Sequence, residues 1–432
     1  MLPSPGGSEL EDVEDALVDG DLAYQRGTAA AALRHRDFRI VYVGTFSSNI
    51  GTWMQNVILG EYALQLTHSG FFVGLLFFGQ LGPLLFLSMM GGLLADRVDR
   101  RRLLVGLQIL QGVLSFALAL VAWTSHPSHL AIVLIVFAIG IANALGAPGL
   151  SAILPTLVPR EDLTGAVALT SVQMNLSRVI GPAIGGLIFA RLEAGPVFAI
   201  NAVTYLFAVA GLMWARYPRY ANDRAGAGGA GRIEHRLLSG VRIARADPVI
   251  SYVLITLFTF SFFSLAFVGI MPLVATYNLG MSKGVYALLY ATFGLGAALG
   301  AFTVGSFFAQ RSKVALLRPG FVAFAIALAA FGFARTALVA FVSVGLLGYM
   351  YFLVVTCLST ILQKELRDDQ RGRVMALWIM VFGGTVPFGV LVAGPFAKSH
   401  STGVLLVGAV WALVLGVFSS ARSLREKGAP DD

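Results

Sequence analysis

The sequence predicts an all-α integral membrane protein, with twelve transmembrane helices in two pseudo-symmetric six-helix bundles. Three observations predict it. Hydrophobic residues make up 57% of the 432 positions and charged residues only 12%, against roughly 25% charged in soluble domains. Apolar runs recur along the whole chain, and one crossing of the hydrocarbon core takes about 20 residues. Lysine and arginine alternate between dense and sparse from one connection to the next, a pattern that follows the side of the membrane.

In chain order the apolar runs fall near 39–66, 71–95, 102–123, 129–151, 164–190, 195–215, 249–277, 284–309, 314–334, 337–362, 374–397 and 402–421. Of the 31 Lys and Arg, 26 lie in the tails and the even-numbered connections. Only Arg191, Lys283, Arg335 and Lys398 lie in odd-numbered connections, and Arg178 falls inside a span. Because positive charge stays on the cytosolic side, both termini are expected in the cytosol, with the protein in the cytoplasmic membrane. The formal charge of +8 then reflects topology and anionic lipid, and gives no reason to expect nucleic acid as a partner.

Outside the spans, residues 1–32 read as a disordered acidic cytosolic tail. Its first 27 residues carry Glu9, Glu11, Asp12, Glu14, Asp15, Asp19 and Asp21 against Arg26, too little apolar surface to fold. It lacks the basic start and apolar core of a cleaved signal peptide. The six-span bundles are read as 33–216 and 248–422, with a cytosolic C-tail at 423–432. Between the bundles, 217–247 combines a glycine-rich run at 225–231 with Arg232, Arg236, Arg242 and Arg245 among Leu237, Leu238, Val241 and Ile243. The first part is a flexible linker and the second a basic amphipathic helix expected on the inner leaflet. The halves show weak internal similarity: Arg160-Glu161-Asp162 through Val167 aligns with Arg367-Asp368-Asp369 through Val374. Duplicated halves are the architecture of secondary transporters, with substrate bound between them near the midplane.

Several chemistries lack their residues. Cys357 is the single cysteine, and the six histidines form no HExxH pair. His126 and His129 flank one connection without a third ligand, so no metal or other cofactor is expected. No GxxxxGK[ST] run is present, which leaves an ATP-driven pump unsupported.

Two motifs give the chain a resemblance. After span two, Gly92-Leu93-Leu94-Ala95-Asp96-Arg97-Val98-Asp99-Arg100-Arg101-Arg102 is similar to the loop signature of the major facilitator superfamily, with Asp99 where the pattern usually has glycine. In span five, Gly181-Pro182-Ala183-Ile184-Gly185-Gly186 resembles the glycine-proline motif of that superfamily's antiporter branch. The resemblance implies that Asp96, with Arg97, Arg100 and Arg101, forms a latch docking near the start of span eleven. A solvated cytosolic turn is the plainer reading of the same residues. It also implies that Gly181, Pro182, Gly185 and Gly186 pack on span eight at Gly296 and Gly300, and that export runs by antiport. The local texture, Ser48-Asn49-Ile50-Gly51-Thr52-Trp53-Met54-Gln55, Asn175-Leu176-Ser177-Arg178 and Arg371-Gly372-Arg373-Val374-Met375, resembles a subfamily of enterobactin and other siderophore exporters and some multidrug exporters. Drug-proton antiporters usually carry an Arg in span four, and residues 137–154 have none.

Charge within a membrane is costly and is a functional hypothesis by default. Among 23 acids only Glu61 falls in a span. Fourteen residues into span five at 1.5 Å each, Arg178 is about 21 Å deep, near the midplane; Glu61 is about 33 Å beyond Arg39, near the outer boundary. Arg178 either pairs with an anionic or oxygen-rich substrate or satisfies neighbours such as Asn175. Glu61 is either a proton carrier or an interfacial carboxylate at a wet rim shared with Gln65 and His68. In span one, Asn49, Trp53, Asn56 and Gly60 form a polar stripe expected to face the cavity or another helix. Phe258, Phe262, Phe263 and Met271 in span seven, with Tyr349 and Phe352 in span ten, read as an aromatic wall or as packing. Together these residues predict a monomeric secondary transporter among membrane lipids, not an enzyme. It would export an amphipathic small molecule by proton antiport and alternating access. A lipid or lysophospholipid flippase of the same fold is the rival within transport. A membrane sensor or enzyme is the rival outside it, and the chain has no soluble output domain or clustered acid and base to serve either.

Overall fold

The computed structural model describes residues 27–217 and 233–419, apart from the side chains of 88, 89, 92, 93, 95–97, 151, 152, 154, 155, 233–238, 368 and 369. The acidic stretch to residue 26, the glycine-rich run and the C-tail at 423–432 lie outside the described residues. The described chain is helical, with no strand. In the first half, spans one to six are Arg36–Thr67, Gly70–Arg97, Arg100–Ala122, His129–Ile153, Leu163–Leu192 and Ala194–Trp214. In the second half, span seven is Pro248–Asn278, and spans eight to ten are Val285–Gly305, Lys313–Gly332 and Ala337–Glu365. Spans eleven and twelve are a single helix, Asp368–Phe418, broken by non-helical backbone at His400.

Nine described stretches are apolar and long enough to cross a membrane on hydropathy alone, the last covering both spans eleven and twelve. Spans one and five are not among them, because serine, threonine, asparagine and glutamine interrupt their apolar runs. Part of that polar set points inward, Thr45, Ser48, Gln55, Gln173 and Ser177 being buried. Gln55, Ser115, Gln173 and Asn201 are buried, while Leu206, Phe207 and Trp214 face outward. Asn201 Nδ2 and Ser115 Oγ both donate to Gln55 Oε1 at 2.9 Å, tying spans one, three and six together. In hydrocarbon this inversion is required, since lipid offers no hydrogen bonds.

The start of the chain differs from expectation. Ala29–Arg34 is a helix, capped by the Thr28 hydroxyl. Gly27 N–H donates to Asp162 Oδ1 at 3.0 Å, and His35 Nε2 meets Asp162 Oδ2 at 2.8 Å. Residues 27–32 are therefore folded onto the start of span five and are no part of the tail: Ala31 and Ala32 give this short segment a buried face that the acidic stretch lacks. Ile233–Ala246 is helical as the pattern predicts. It rests on span eleven, with Gly240 against the Arg373 carbonyl, so a protein surface covers part of the face expected to meet lipid.

Both described chain ends lie at one end of the bundle, called here the termini end, and the opposite end is the far end. The halves touch mainly through spans two and eleven and through spans five and eight. Near the far end these contacts are backbone against backbone: Gly70 abuts the Gly394 carbonyl, and Gly74 meets Val390 and Leu391.

The glycine motif packs differently from the expectation. Gly181 and Gly185 receive Ile50, Trp53 and Met54 of span one, and only Gly186 reaches the other half, at Gly284 and Ala287. Gly296 and Gly300 are a notch for span ten, where they meet Gly345 and Tyr349. Spacing at i and i+4 predicts a close approach but leaves the partner open. Gly296→Leu is therefore expected to push spans eight and ten apart at a cost of about 1–3 kcal/mol. It should lower the thermal unfolding midpoint of the purified protein, whereas Gly305→Leu, with nothing within 4 Å, should leave it unchanged.

Candidate functional site

Span five carries Arg178 to the junction of the halves. Its guanidinium carbon lies 5.0 Å from the centroid of the Trp53 ring, in span one, and 5.2 Å from that of Phe352, in span ten. One cation is thus held between an aromatic face from each half. Tyr290 of span eight approaches Trp53 at 6.2 Å, and Tyr351 approaches Phe352 at 5.0 Å. Phe293 and Phe382 continue the aromatic lining at 6.3 and 6.4 Å from Tyr351. Among the described residues no carboxylate pairs with Arg178, and its Nε has no hydrogen-bond partner. A desolvated cation–π contact contributes about 2 kcal/mol, against about 2.5–3.5 kcal/mol to place an Arg at the middle of a span. Two such rings together match the cost of the charge and still leave guanidinium N–H groups to bind oxygen. Asn175, considered as its structural partner, donates instead to the Ser171 carbonyl at 2.9 Å.

Glu61 is not at a wet rim. It is 4% exposed, and Oε1 accepts the backbone N–H of Gly284 at 3.2 Å, just before span eight, while Oε2 has no partner. Gln65 and His68 continue along span one toward the surface, but the second half covers Glu61 itself. Beside it, Lys283 Nζ meets Glu193 Oε1 at 2.6 Å, a second polar link between the halves at the far end. Gly284 has a φ of +82° and packs on Gly186, so glycine at both positions lets the spans approach closely enough for the Glu61 contact.

The stripe on span one divides. Trp53 faces the Arg178 site, and Gly60 sits under Pro272 and the Tyr286 hydroxyl of the second half. Asn49 lines a separate cavity inside the first half, and Asn56 is half-buried. The aromatic wall is relocated. Phe258 and Phe263 of span seven are 47% and 38% exposed, and Phe263 packs on Trp411 of span twelve. Met271 is buried in the core, and the Tyr349 hydroxyl accepts from Thr303 at 2.9 Å. Of the proposed wall only Phe352 joins the site, and the other rings come from Tyr290, Phe293, Tyr351 and Phe382. A phenol inside an apolar span was the signal that would have found the two tyrosines, since its hydroxyl needs a polar neighbour.

The side chains of Asp96 and Arg97 lie outside the described residues. Asp99, the departure from the loop signature, caps span three by accepting the Arg102 N–H at 2.8 Å, an arrangement that contributes about 1 kcal/mol. Arg101 Nε donates to the Leu212 carbonyl at 3.0 Å, its Nη2 donates to Met213, and its guanidinium lies over the Tyr217 ring. Burial pushes the Tyr217 phenol up to about 12 against the nearby Arg101 charge, so the ring stays neutral. Arg101 thus closes the C-terminus of span six within its own half, where helix carbonyls favour a cation. Arg100 is half-buried at the start of span three.

Comparison with known proteins agrees with this architecture. Residues 27–431 match the major facilitator family described as transmembrane secretion effector. The enterobactin exporter EntS of Escherichia coli O1:K1 is 30% identical over 395 residues, covering 88% of this chain and 92% of that protein. EntS of Shigella boydii serotype 4 is 29% identical over 394 residues with the same coverage. Among solved structures, the nucleoside transporter NupG superposes with a TM-score of 0.71 at 14% identity, over 91% of this chain and 100% of its own. An auto-inhibited POT family peptide transporter gives 0.71 at 13% identity, over 92% and 98%. At such identities these two structures show a common fold only. With twelve spans in two halves among the described residues and a family match spanning nearly the whole chain, the protein is a membrane transporter that belongs to the transmembrane secretion effector family of the major facilitator superfamily.

Proposed function

We propose that the protein exports an anionic or zwitterionic amphiphile, such as a siderophore-like catecholate, across the cytoplasmic membrane by proton antiport with alternating access. The observation that carries this reading is the Arg178 guanidinium between Trp53 and Phe352. A purely cationic cargo would be repelled there, because like charges interact strongly where water is scarce. An oxygen anion on an aromatic frame would meet both the guanidinium and the rings. The relatives that bear the name enterobactin exporter support the same class. Since the rings belong to different halves, a substrate between them is released when the halves rock apart. Glu61 is the candidate proton carrier: buried and joined to the second half through Gly284, it couples its charge to closure of the far end. Asp96, with Arg97 and Arg100, is proposed to latch the opposite, cytosolic end.

Proteoliposomes loaded with labelled enterobactin test the assignment. Arg178→Gln should weaken its binding, measured without any gradient, by about 10- to 100-fold, the worth of hydrogen bonds to a charged group. Glu61→Gln should spare binding and abolish proton-driven export. Normal binding by Arg178→Gln would remove the preference for anions, and export by Glu61→Gln under a pH gradient would place the proton site elsewhere.

Asp96→Asn keeps the side-chain volume and removes the charge. Transport should fall several-fold with membrane expression near normal; an unchanged rate means that this turn is merely solvated.

Topology is read by single cysteines in a Cys357→Ser background. Cysteines at Ser128 and Ser282 should react with an impermeant thiol reagent in intact cells, and one at Gly228 only after permeabilisation. Labelling at Gly228 from outside would invert the proposed orientation.

A further inference from the structure

Tyrosine hydroxyls in the described helices differ in how they are satisfied. Tyr42 donates to the Leu169 carbonyl, Tyr205 to Gln111 and Tyr217 to the Leu212 carbonyl, while Tyr349 accepts from Thr303. The hydroxyls of Tyr62 and Tyr252 are unpaired and sealed away from water. Tyr290 of span eight and Tyr351 of span ten belong to neither group. The two residues are 8% and 4% exposed. Among the described residues their hydroxyls have no hydrogen-bond partner, yet, unlike those of Tyr62 and Tyr252, they open onto space that water can reach. Tyr286 is open in the same way, but its hydroxyl lies beside Gly60, one turn nearer the far end.

Both Tyr290 and Tyr351 belong to the second half, and both lie at Arg178. Span eight runs directly along the Arg178 backbone: a Cβ at Gly294, four residues after Tyr290, would be 3.0 Å from the Arg178 carbonyl oxygen. The Tyr290 ring is 6.2 Å from Trp53 and the Tyr351 ring 5.0 Å from Phe352, the two faces that hold the guanidinium. Phe293 touches both phenols, at 5.9 Å from Tyr290 and 6.3 Å from Tyr351, and each is within electrostatic reach of the Arg178 charge. Packing holds the rings in place, Tyr351 being further fixed by Phe260 at 5.8 Å and Phe382 at 6.4 Å. Arg178 itself is half-buried. Its Nε is sealed, whereas its Nη groups, also without a partner among the described residues, are open. Each of these open groups can give a hydrogen: Arg178 from the first half, Tyr290 and Tyr351 from the second. Water can meet such donors but brings no charge to balance the guanidinium. An oxyanion with two or more oxygens does both, and hydrogen bonds to a charged acceptor are about twice as strong as neutral ones.

We propose that Tyr290 and Tyr351 are specificity-determining residues that complete, from the second half, the oxyanion site begun by Arg178. The site then selects a planar oxyanion over a neutral group of the same shape, which would leave these donors unpaired. The inference rests on the proposed reading of Arg178 as the anion site. Its test is equilibrium binding of labelled enterobactin to the full-length protein in lipid nanodiscs, with no gradient and with salicylate or salicylamide as competitor. These competitors differ only by a carboxylate against a carboxamide on one ring, and salicylate is expected to displace the label at least tenfold better. Tyr290→Phe and Tyr351→Phe should each weaken enterobactin binding about tenfold, as expected for one lost hydrogen bond to a charged group. Each should also bring the ratio between the competitors toward one, in protein that remains monodisperse. Altered packing would weaken both competitors together and leave the ratio as it was, so the ratio isolates the hydroxyl. Tyr349→Phe, whose hydroxyl is already paired with Thr303, should change binding by less than twofold. If both phenylalanine variants keep the ratio while Arg178→Gln loses binding, the phenols only line the site and this inference alone is overturned. Normal binding by Arg178→Gln, or no saturable binding by the unaltered protein, would overturn the anion reading and this inference with it.

Discussion

The close approach of backbone to backbone near the far end is the contact on which the rest of the arrangement depends. Lipid tails are as apolar as leucine, so the hydrophobic effect does not press one half against the other within the bilayer. Dispersion and polar contacts must hold them, and both fall off steeply with distance. Gly70 against Gly394 and Gly186 against Gly284 bring the halves within that range. Every inter-half feature described above is positioned by it: Glu61 reaches the Gly284 amide, Lys283 reaches Glu193, and Phe352 reaches Arg178.

Polar groups in the first half are then sorted by who can satisfy them. Gln55, Ser115 and Asn201 satisfy one another and behave as structural ties. The Arg178 Nε, Glu61 Oε2 and the Gln108 and Gln173 carbonyl oxygens have no partner. Orphans of this kind are rare in folded proteins because each is costly. Of these four, the two ionisable groups sit where the halves meet and the two amides inside a single half, and the Tyr62 and Ser177 hydroxyls are further buried groups without a partner.

Among the described residues no acidic partner accompanies Arg178, and under the proposed function a carboxylate beside it would compete with an anionic cargo. Aromatic faces stabilise the guanidinium without occupying its hydrogen-bonding edge, so the charge is tolerated and remains available. Trp53 and Phe352 lie on opposite halves, which makes the strength of this arrangement depend on how the halves are placed.

Much of the fold was legible in the sequence. Span positions, the even count, the two halves and the amphipathic helix before span seven follow from apolar runs and charge sidedness, because the bilayer imposes length and hydropathy locally on each helix. The two intramembrane charges, Arg178 and Glu61, were also legible, since few polar residues can stand in such runs without a reason. What the sequence left open was which surfaces meet. It offered Gly181, Gly185, Gly296 and Gly300 as notches, and only packing decided that spans one and ten fill them. It put Glu61 at a wet rim, and the tertiary structure covered it with the start of span eight. It offered an aromatic wall from spans seven and ten, and of that wall the structure keeps only Phe352 at the site, joined there by Tyr290 and Tyr351. Hydropathy reports how a residue partitions between water and lipid, a property of one residue and its neighbours in sequence. Partners across helices depend on helix rotation and crossing, which are set by side-chain shape at contacts more than a hundred residues apart in the chain.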